Sequence, residues 1–246
     1  MAKSDLNLSR RVNFAETVDI LLNSGDNAVH LMGEPGVGKT AMHNEIVART
    51  GYKGIYIDGP NTDVGQSGMP IPNHDSRTLD FYPSGAYGLH LNEPLCIMID
   101  EWTKTDDYVR NTLHPLLHER RLGNFKLHPD SIVFTTGNMD ADGVGDSSKA
   151  HTRNRQTWLT YMKPTAKEWC NWATNHGIAP EVIAWVHEYE HCMASYMDGG
   201  QEKNPYIFNP NDASQTAFVS PRSLAKASHW VQRRDRITEN AFIATL

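Results

Sequence analysis

Gly33-Glu34-Pro35-Gly36-Val37-Gly38-Lys39-Thr40 satisfies the pattern G-x-x-x-x-G-K-[ST]. Glycines at this spacing let successive backbone N–H groups converge on phosphate oxygens at the start of a helix. Lys39 brings a positive charge to the β and γ phosphates, and the Thr40 hydroxyl is a hard oxygen ligand suited to Mg²⁺. The predicted phosphate-binding set is therefore Gly33, Glu34, Pro35, Gly36, Val37, Gly38, Lys39 and Thr40, continuing to Ala41 in the first helical turn.

Binding a triphosphate does not by itself cleave it. Hydrolysis needs a carboxylate aimed at the metal and a base for the attacking water, and both are offered by Asp100-Glu101 after the apolar run Leu95-Cys96-Ile97-Met98-Ile99. Asp100 is the expected Mg²⁺ partner beside Thr40, and Glu101 the expected general base. A third run, Ser131 to Thr135, leads into Thr136-Gly137-Asn138. The Asn138 amide at such a strand tip can hydrogen-bond both the γ-phosphate and the water.

These groups need a scaffold that brings several strand ends together. Short apolar runs at Ala28–Met32, Gly54–Asp58, Leu95–Ile99 and Ser131–Thr135 alternate with helical stretches near 13–23, 40–50 and 106–120. Such alternation predicts a parallel sheet covered by helices. After about residue 160 the pattern turns helical, at 165–175, 179–197 and 220–236. An α/β domain over 1–160 and a small all-helical domain over 161–246 are expected. Residues 59–94, rich in Gly, Pro, Asn and Asp, are expected to leave the sheet as a long exposed excursion.

Composition limits the alternatives. The 246 residues suffice for one sizeable core and a smaller lobe. A net charge of -6 and a pI near 6.0 provide no overall positive field for nucleic acid or anionic lipid. Three cysteines without a CxxC pair, the lack of an apolar leader, and the absence of any apolar run near the ~18 residues that span a bilayer predict a cytoplasmic protein.

The three strand ends, in this order, resemble the Walker A, Walker B and sensor 1 elements of AAA+ ATPases. Asp63-Val64-Gly65-Gln66-Ser67-Gly68-Met69-Pro70, the Asp140 and Asp142 stretch, and Asn154-Arg155 narrow the resemblance to the MoxR and dynein/midasin-related branch. It covers roughly residues 10 to 235. It implies a P-loop NTPase three-layer αβα parallel sheet, the AAA+ core, with a C-terminal helical lid, and ATP with Mg²⁺ as ligands. It also implies a homo-oligomeric, hexameric ring that remodels a protein client, with a von Willebrand A-domain protein as one candidate partner. Carried over by position, Arg155 is the arginine-finger candidate, with Arg153 its competitor. Arg222 in Ser220-Pro221-Arg222-Ser223 matches sensor 2. Gln156 stands where the family usually has Phe. The alternative reading is a nucleic-acid-coupled AAA+ ATPase, a helicase loader or restriction-type translocase that could use GTP; the acidic charge balance weighs against it.

One further pattern competes. His187-Glu188-Tyr189-Glu190-His191 matches H-E-x-x-H, which on a helix sets two imidazoles one turn apart for zinc. No third ligand follows at the required spacing, so no metal site is expected there. Trp185, Val186, Tyr189 and Met193 are instead expected to pack the lid.

Overall fold

The computed structural model describes residues 11–139 and 155–245. It opens with β1 (Arg11–Val12), α1 (Phe14–Leu22), β2 (Val29–Gly33), α2 (Lys39–Thr50) and β3 (Lys53–Asp58). Asn13 starts α1 through a capping box: its side chain accepts from the Glu16 N–H, and the Glu16 carboxylate accepts from the Asn13 N–H. A short helix α3 (Val64–Ser67) and a hairpin of β4 (Gly68–Asn73) and β5 (Thr78–Pro83) follow. Then come β6 (Leu95–Asp100), α4 (Asp107–His118), a small hairpin of β7 (Arg121–Leu122) and β8 (Phe125–Lys126), β9 (Ile132–Gly137) and β10 (Thr157–Tyr161).

Six of these strands form one parallel sheet in the order β1-β10-β2-β9-β6-β3. This is an α/β fold. Helices cover both faces, which is why β6 reads as an unbroken apolar run: alternate residues point to opposite sides, and each side is buried. On one face Ile97, Ile99, Ile55, Ile57 and Val133 pack with Val109, Leu113, Leu116 and Leu117 of α4. On the other, α1 and α2 pack against each other and the sheet, His43 Nε2 lying 3.0 Å from the Cys96 carbonyl oxygen. Burial drives the Cys96 thiol up to about 12, consistent with a packing role for it.

The order of the strands positions the chemistry. β9 lies between β2 and β6, with Met32 opposite Gly137 and Ile99 opposite Thr135. The carboxyl ends of β2, β9 and β6 are therefore neighbours, and ligands of open parallel sheets collect at such ends.

The remainder is helical: α5 (Ala166–Thr174), α6 (Pro180–Glu188), α7 (Pro221–Val231) and α8 (Glu239–Ile243). Ala166, Trp169, Ala173, Val182, Val186, Met193 and Leu224 form its core, with Trp185 packed against it. Thr165 and Glu168 cap α5, Ser220 and Ser223 cap α7, and prolines occupy the first turns of α6 and α7. The chain forms two compact units. One takes the sequence through Gly33 and again from Lys39 to Tyr161; the other takes Glu34–Gly38 and Met162–Leu246. Among the described residues no helix is long and apolar enough to cross a membrane.

Several local expectations are corrected. The 59–94 excursion is not bare loop: it holds α3, the β4–β5 hairpin and two 3₁₀ turns. The expected helix over 179–197 stops at Glu188, where Tyr189 leaves helical geometry (φ -112°, ψ 52°), and 3₁₀ turns continue at Glu190–Met193 and Tyr196–Asp198. His187 and His191 thus do not share one helix. No cluster of three or more metal-ligating side chains occurs among the described residues. The helix over 220–236 likewise ends at Val231, with a 3₁₀ turn at Arg234–Arg236.

Candidate functional site

Within the sheet unit, α2 begins at Lys39, directly beyond the tip of β2. The Lys39 ammonium donates to the Gly33 carbonyl at 2.9 Å and to the Asn138 side-chain oxygen at 2.9 Å. The sheet makes this possible: β2 and β9 are adjacent, so the first residue past β9 faces the first turn past β2. Thr40 and Ala41 follow in the same turn, both half-buried.

Asp100 ends β6. Its Oδ1 accepts from the Thr136 hydroxyl and from the Glu101 N–H at 3.1 Å, and its Oδ2 accepts from the Tyr56 hydroxyl at 2.9 Å. A carboxylate has about four lone-pair directions, so three donors orient Asp100 and leave capacity for a cation or its water. Together with the Thr40 hydroxyl, this is the all-oxygen donor chemistry that Mg²⁺ prefers, and the residues fit that ion. Neither Tyr56 nor Thr136 announces this role in sequence; each reads as an ordinary strand residue.

Glu101 adopts a left-handed backbone conformation, φ 51°, which costs a non-glycine residue on the order of 1 kcal/mol. The N–H of Glu101, directed at Asp100 Oδ1 and Thr136 Oγ1, fixes the turn, which carries the chain into the Trp102–Lys104 3₁₀ turn with the Trp102 ring buried. The Glu101 carboxylate pairs with Lys104 Nζ at 2.8 Å, both side chains remaining solvent-accessible. Arg155 is exposed, and its charge reaches His118 at the end of α4. Arg153 and Asn154, with Asp140 and Asp142, lie outside the described residues.

The five residues Glu34–Gly38 belong to the helical unit. Gly36 has φ 73°, a conformation that favours glycine, and a Cβ on it would fall 2.7 Å from Ser220 Oγ. Its carbonyl accepts from the Arg222 N–H at 3.1 Å. The start of α7 is thereby laid directly on the Glu34–Gly38 turn. Ser220 is its N-cap, while the Arg222 side chain remains exposed. Val37 is buried, and Pro35 and Gly38 are half-buried.

The loop's acidic residue, Glu34, is only 3% exposed, and its Oε1 accepts from the Ser195 hydroxyl. Lys163, 8% exposed, donates to the carbonyls of Cys192, Ala194 and Val219 at 3.2, 3.2 and 2.9 Å. Burial lowers the pKa of its ammonium from the usual lysine value, and the negative charge of Glu34 opposes that shift. Elsewhere on the helical unit a mainly apolar groove is lined by Ile178, Pro180, Ile183, Ala184, His187 and Glu188. It gathers no convergent polar set.

The sheet unit thus brings together Lys39, Asn138, Thr136, Asp100 and Glu101 at adjacent strand ends. The helical unit brings Glu34 and Gly36 together with Ser195, Ser220 and Arg222. No family model matches the sequence, and no curated protein sequence matches it. Among solved structures, the 2.00 Å crystal structure of a "putative ATPase" from Cytophaga hutchinsonii is similar over 88% of this chain, with a TM-score of 0.48 and 13% identity, and this chain spans 57% of that one.

Proposed function

We propose that this chain is a Mg²⁺-dependent ATPase of the AAA+ type, of the MoxR and dynein/midasin-related branch, working as a hexameric ring that remodels a protein client. The observation that carries the catalytic part is the Lys39–Asn138 contact at 2.9 Å, one strand away from the triply hydrogen-bonded Asp100. It supports a single centre for a triphosphate at the strand ends.

Each group has a task. The N–H groups of the Gly36–Thr40 backbone receive phosphate oxygens, and Lys39 compensates charge on the β and γ phosphates. Thr40 and Asp100 would hold Mg²⁺, which supplies neutralisation of the phosphate charge. Asn138 orients the γ-phosphate and the attacking water. Glu101 accepts the proton from that water as its oxygen bonds to the γ-phosphorus and the bond to the ADP oxygen breaks. For this, Glu101 must turn from Lys104 toward the water. Arg155 of a neighbouring copy serves as the finger, and Arg222 has the sensor 2 role that its sequence position implies.

The test is ATP turnover measured across protein concentration, alongside mass determination with and without MgATP. Turnover per chain that rises as rings assemble is the expected result. Absence of ATP binding and turnover at every concentration would end the proposal.

A further inference from the structure

A carboxylate inside an anion-binding loop is an electrostatic liability. Glu34 precedes the glycines that would face phosphate, it is almost wholly buried, and a buried carboxylate is strongly disfavoured unless paired and hydrogen-bonded. The helical unit answers both needs. Ser195 donates its hydroxyl to Glu34 Oε1, and Ser195 is itself fixed by accepting from the Met197 N–H at 3.1 Å as cap of the Tyr196–Asp198 turn. Lys163 Nζ and Glu34 Oε1 both bond to the Cys192–Ser195 stretch, the ammonium to the Cys192 and Ala194 carbonyls and the carboxylate to the Ser195 hydroxyl, so the opposite charge is held close to Glu34 and is felt there.

Lys163 is anchored independently of Glu34. Its three carbonyl acceptors come from Cys192 and Ala194, flanking Ser195 on one side, and from Val219, the residue before the α7 cap Ser220. One buried ammonium therefore ties the stretch that holds Glu34 to the helix start that holds Gly36. The loop is gripped at two places: the Glu34 carboxylate by Ser195, and the Gly36 carbonyl by the Arg222 N–H.

Resting on the proposed nucleotide-binding role of the loop, we infer that Glu34 and Lys163 form a charge-compensated positioning pair. With Ser195, the pair holds the loop's backbone N–H groups in phosphate-receiving order, and Lys163 cancels the repulsion that Glu34 would exert on incoming phosphates. Neither residue touches the reacting atoms. Both act through the loop, so their removal weakens nucleotide binding and leaves the chemical step at saturation largely intact.

The experiment uses the full chain and a fluorescent ATP analogue with Mg²⁺, measuring Kd, KM, kcat and thermal unfolding for wild type, K163M, E34Q, S195A and the double variant E34Q/K163M. K163M leaves a buried carboxylate uncompensated beside the phosphates, and about a tenfold or greater rise in Kd is expected. The double variant removes both charges and is expected to recover most of that loss. Recovery distinguishes charge compensation from a purely structural role, because three carbonyls stay without their ammonium in both variants. E34Q and S195A are expected to raise KM several-fold with kcat within about twofold of wild type.

A double variant no better than K163M would overturn the inference, as would E34Q and S195A both binding like wild type. Should K163M fail to fold, the KM and kcat values of E34Q and S195A decide alone. Wild-type protein that binds no nucleotide would defeat the nucleotide reading itself, and that result comes from the wild-type arm before any variant is compared.

Discussion

Lys39 Nζ and Asn138 Oδ1, separated by 99 positions in sequence, lie 2.9 Å apart because β2 and β9 are neighbours and each residue is placed just past its strand's end. The amide oxygen thus accepts a hydrogen bond from the lysine ammonium. Lys39→Ala is expected to abolish binding of a fluorescent ATP analogue, since no other cation in the loop can replace its charge. Asn138→Ala is expected to bind the analogue but lose turnover by about a hundredfold, the order seen when one preorganised polar group is removed from a transition state. Equal loss of binding in both variants would assign Asn138 to affinity instead.

Glu101 pairs with Lys104 at 2.8 Å and leaves β6 through a left-handed turn. If its carboxylate is the base, Glu101→Gln should bind ATP as wild type does and retain it unhydrolysed. Single-turnover assays with radiolabelled ATP check this. Turnover at the wild-type rate would remove Glu101 from that role.

Arg155 is exposed, and under the proposed function it serves the nucleotide of a neighbouring copy. Arg155→Ala is expected to lose turnover while keeping nucleotide affinity, and mixing it with Glu101→Gln subunits should restore part of the activity. Where a Glu101→Gln subunit serves the site of an Arg155→Ala neighbour, an intact finger meets an intact base; the opposite mixed interface lacks both. Mixed rings as inactive as their parents would argue against a finger in trans.

His118 ends α4 beside His114, their ring centroids 4.1 Å apart. Burial, then the His114 ring and the Arg155 charge, push its pKa down to about 4, only partly offset by Glu119. Between pH 6.5 and about 4 the unfolded chain binds a proton that the folded chain refuses, so this contribution to stability is complete above pH 6.5 and is lost as pH falls through that window. His118→Gln should flatten the acid limb of melting temperature against pH between those limits. An unchanged limb would place the acid sensitivity elsewhere.

Much of the sheet is readable from the chain because β6 and β9 are buried on both faces and show unbroken apolar runs. β10 is not: Thr157-Trp158-Leu159-Thr160-Tyr161 alternates in character, and its outer neighbour β1 pairs over only two residues. The β4–β5 hairpin is concealed by Pro70 and Pro72, which read as strand breakers but are tolerated where a two-stranded ribbon leaves one edge unpaired. The end of α6 at Glu188 lacks a glycine or proline signal, so the H-E-x-x-H spacing looks helical when it is not.

The glycine-rich turn before Lys39 and the Asp100-Glu101 pair stand out in the sequence because each is a run of adjacent residues at the end of an apolar strand. The supports of Asp100 do not. Tyr56 reaches it across 44 positions and Thr136 across 36, and only the strand order brings them together. The link from Ser195 to Glu34 spans 161 positions and carries no motif at all.

The backbone passes between its two compact units at 33/34, 38/39 and 161/162. A cut after Tyr161 consequently yields no pair of self-sufficient modules: the amino-terminal fragment would keep five residues whose packing partners had gone with the other piece. Exchange of the helical unit between related proteins is constrained in the same way, because a transplanted unit must accept a foreign Glu34–Gly38 segment as part of its own interior.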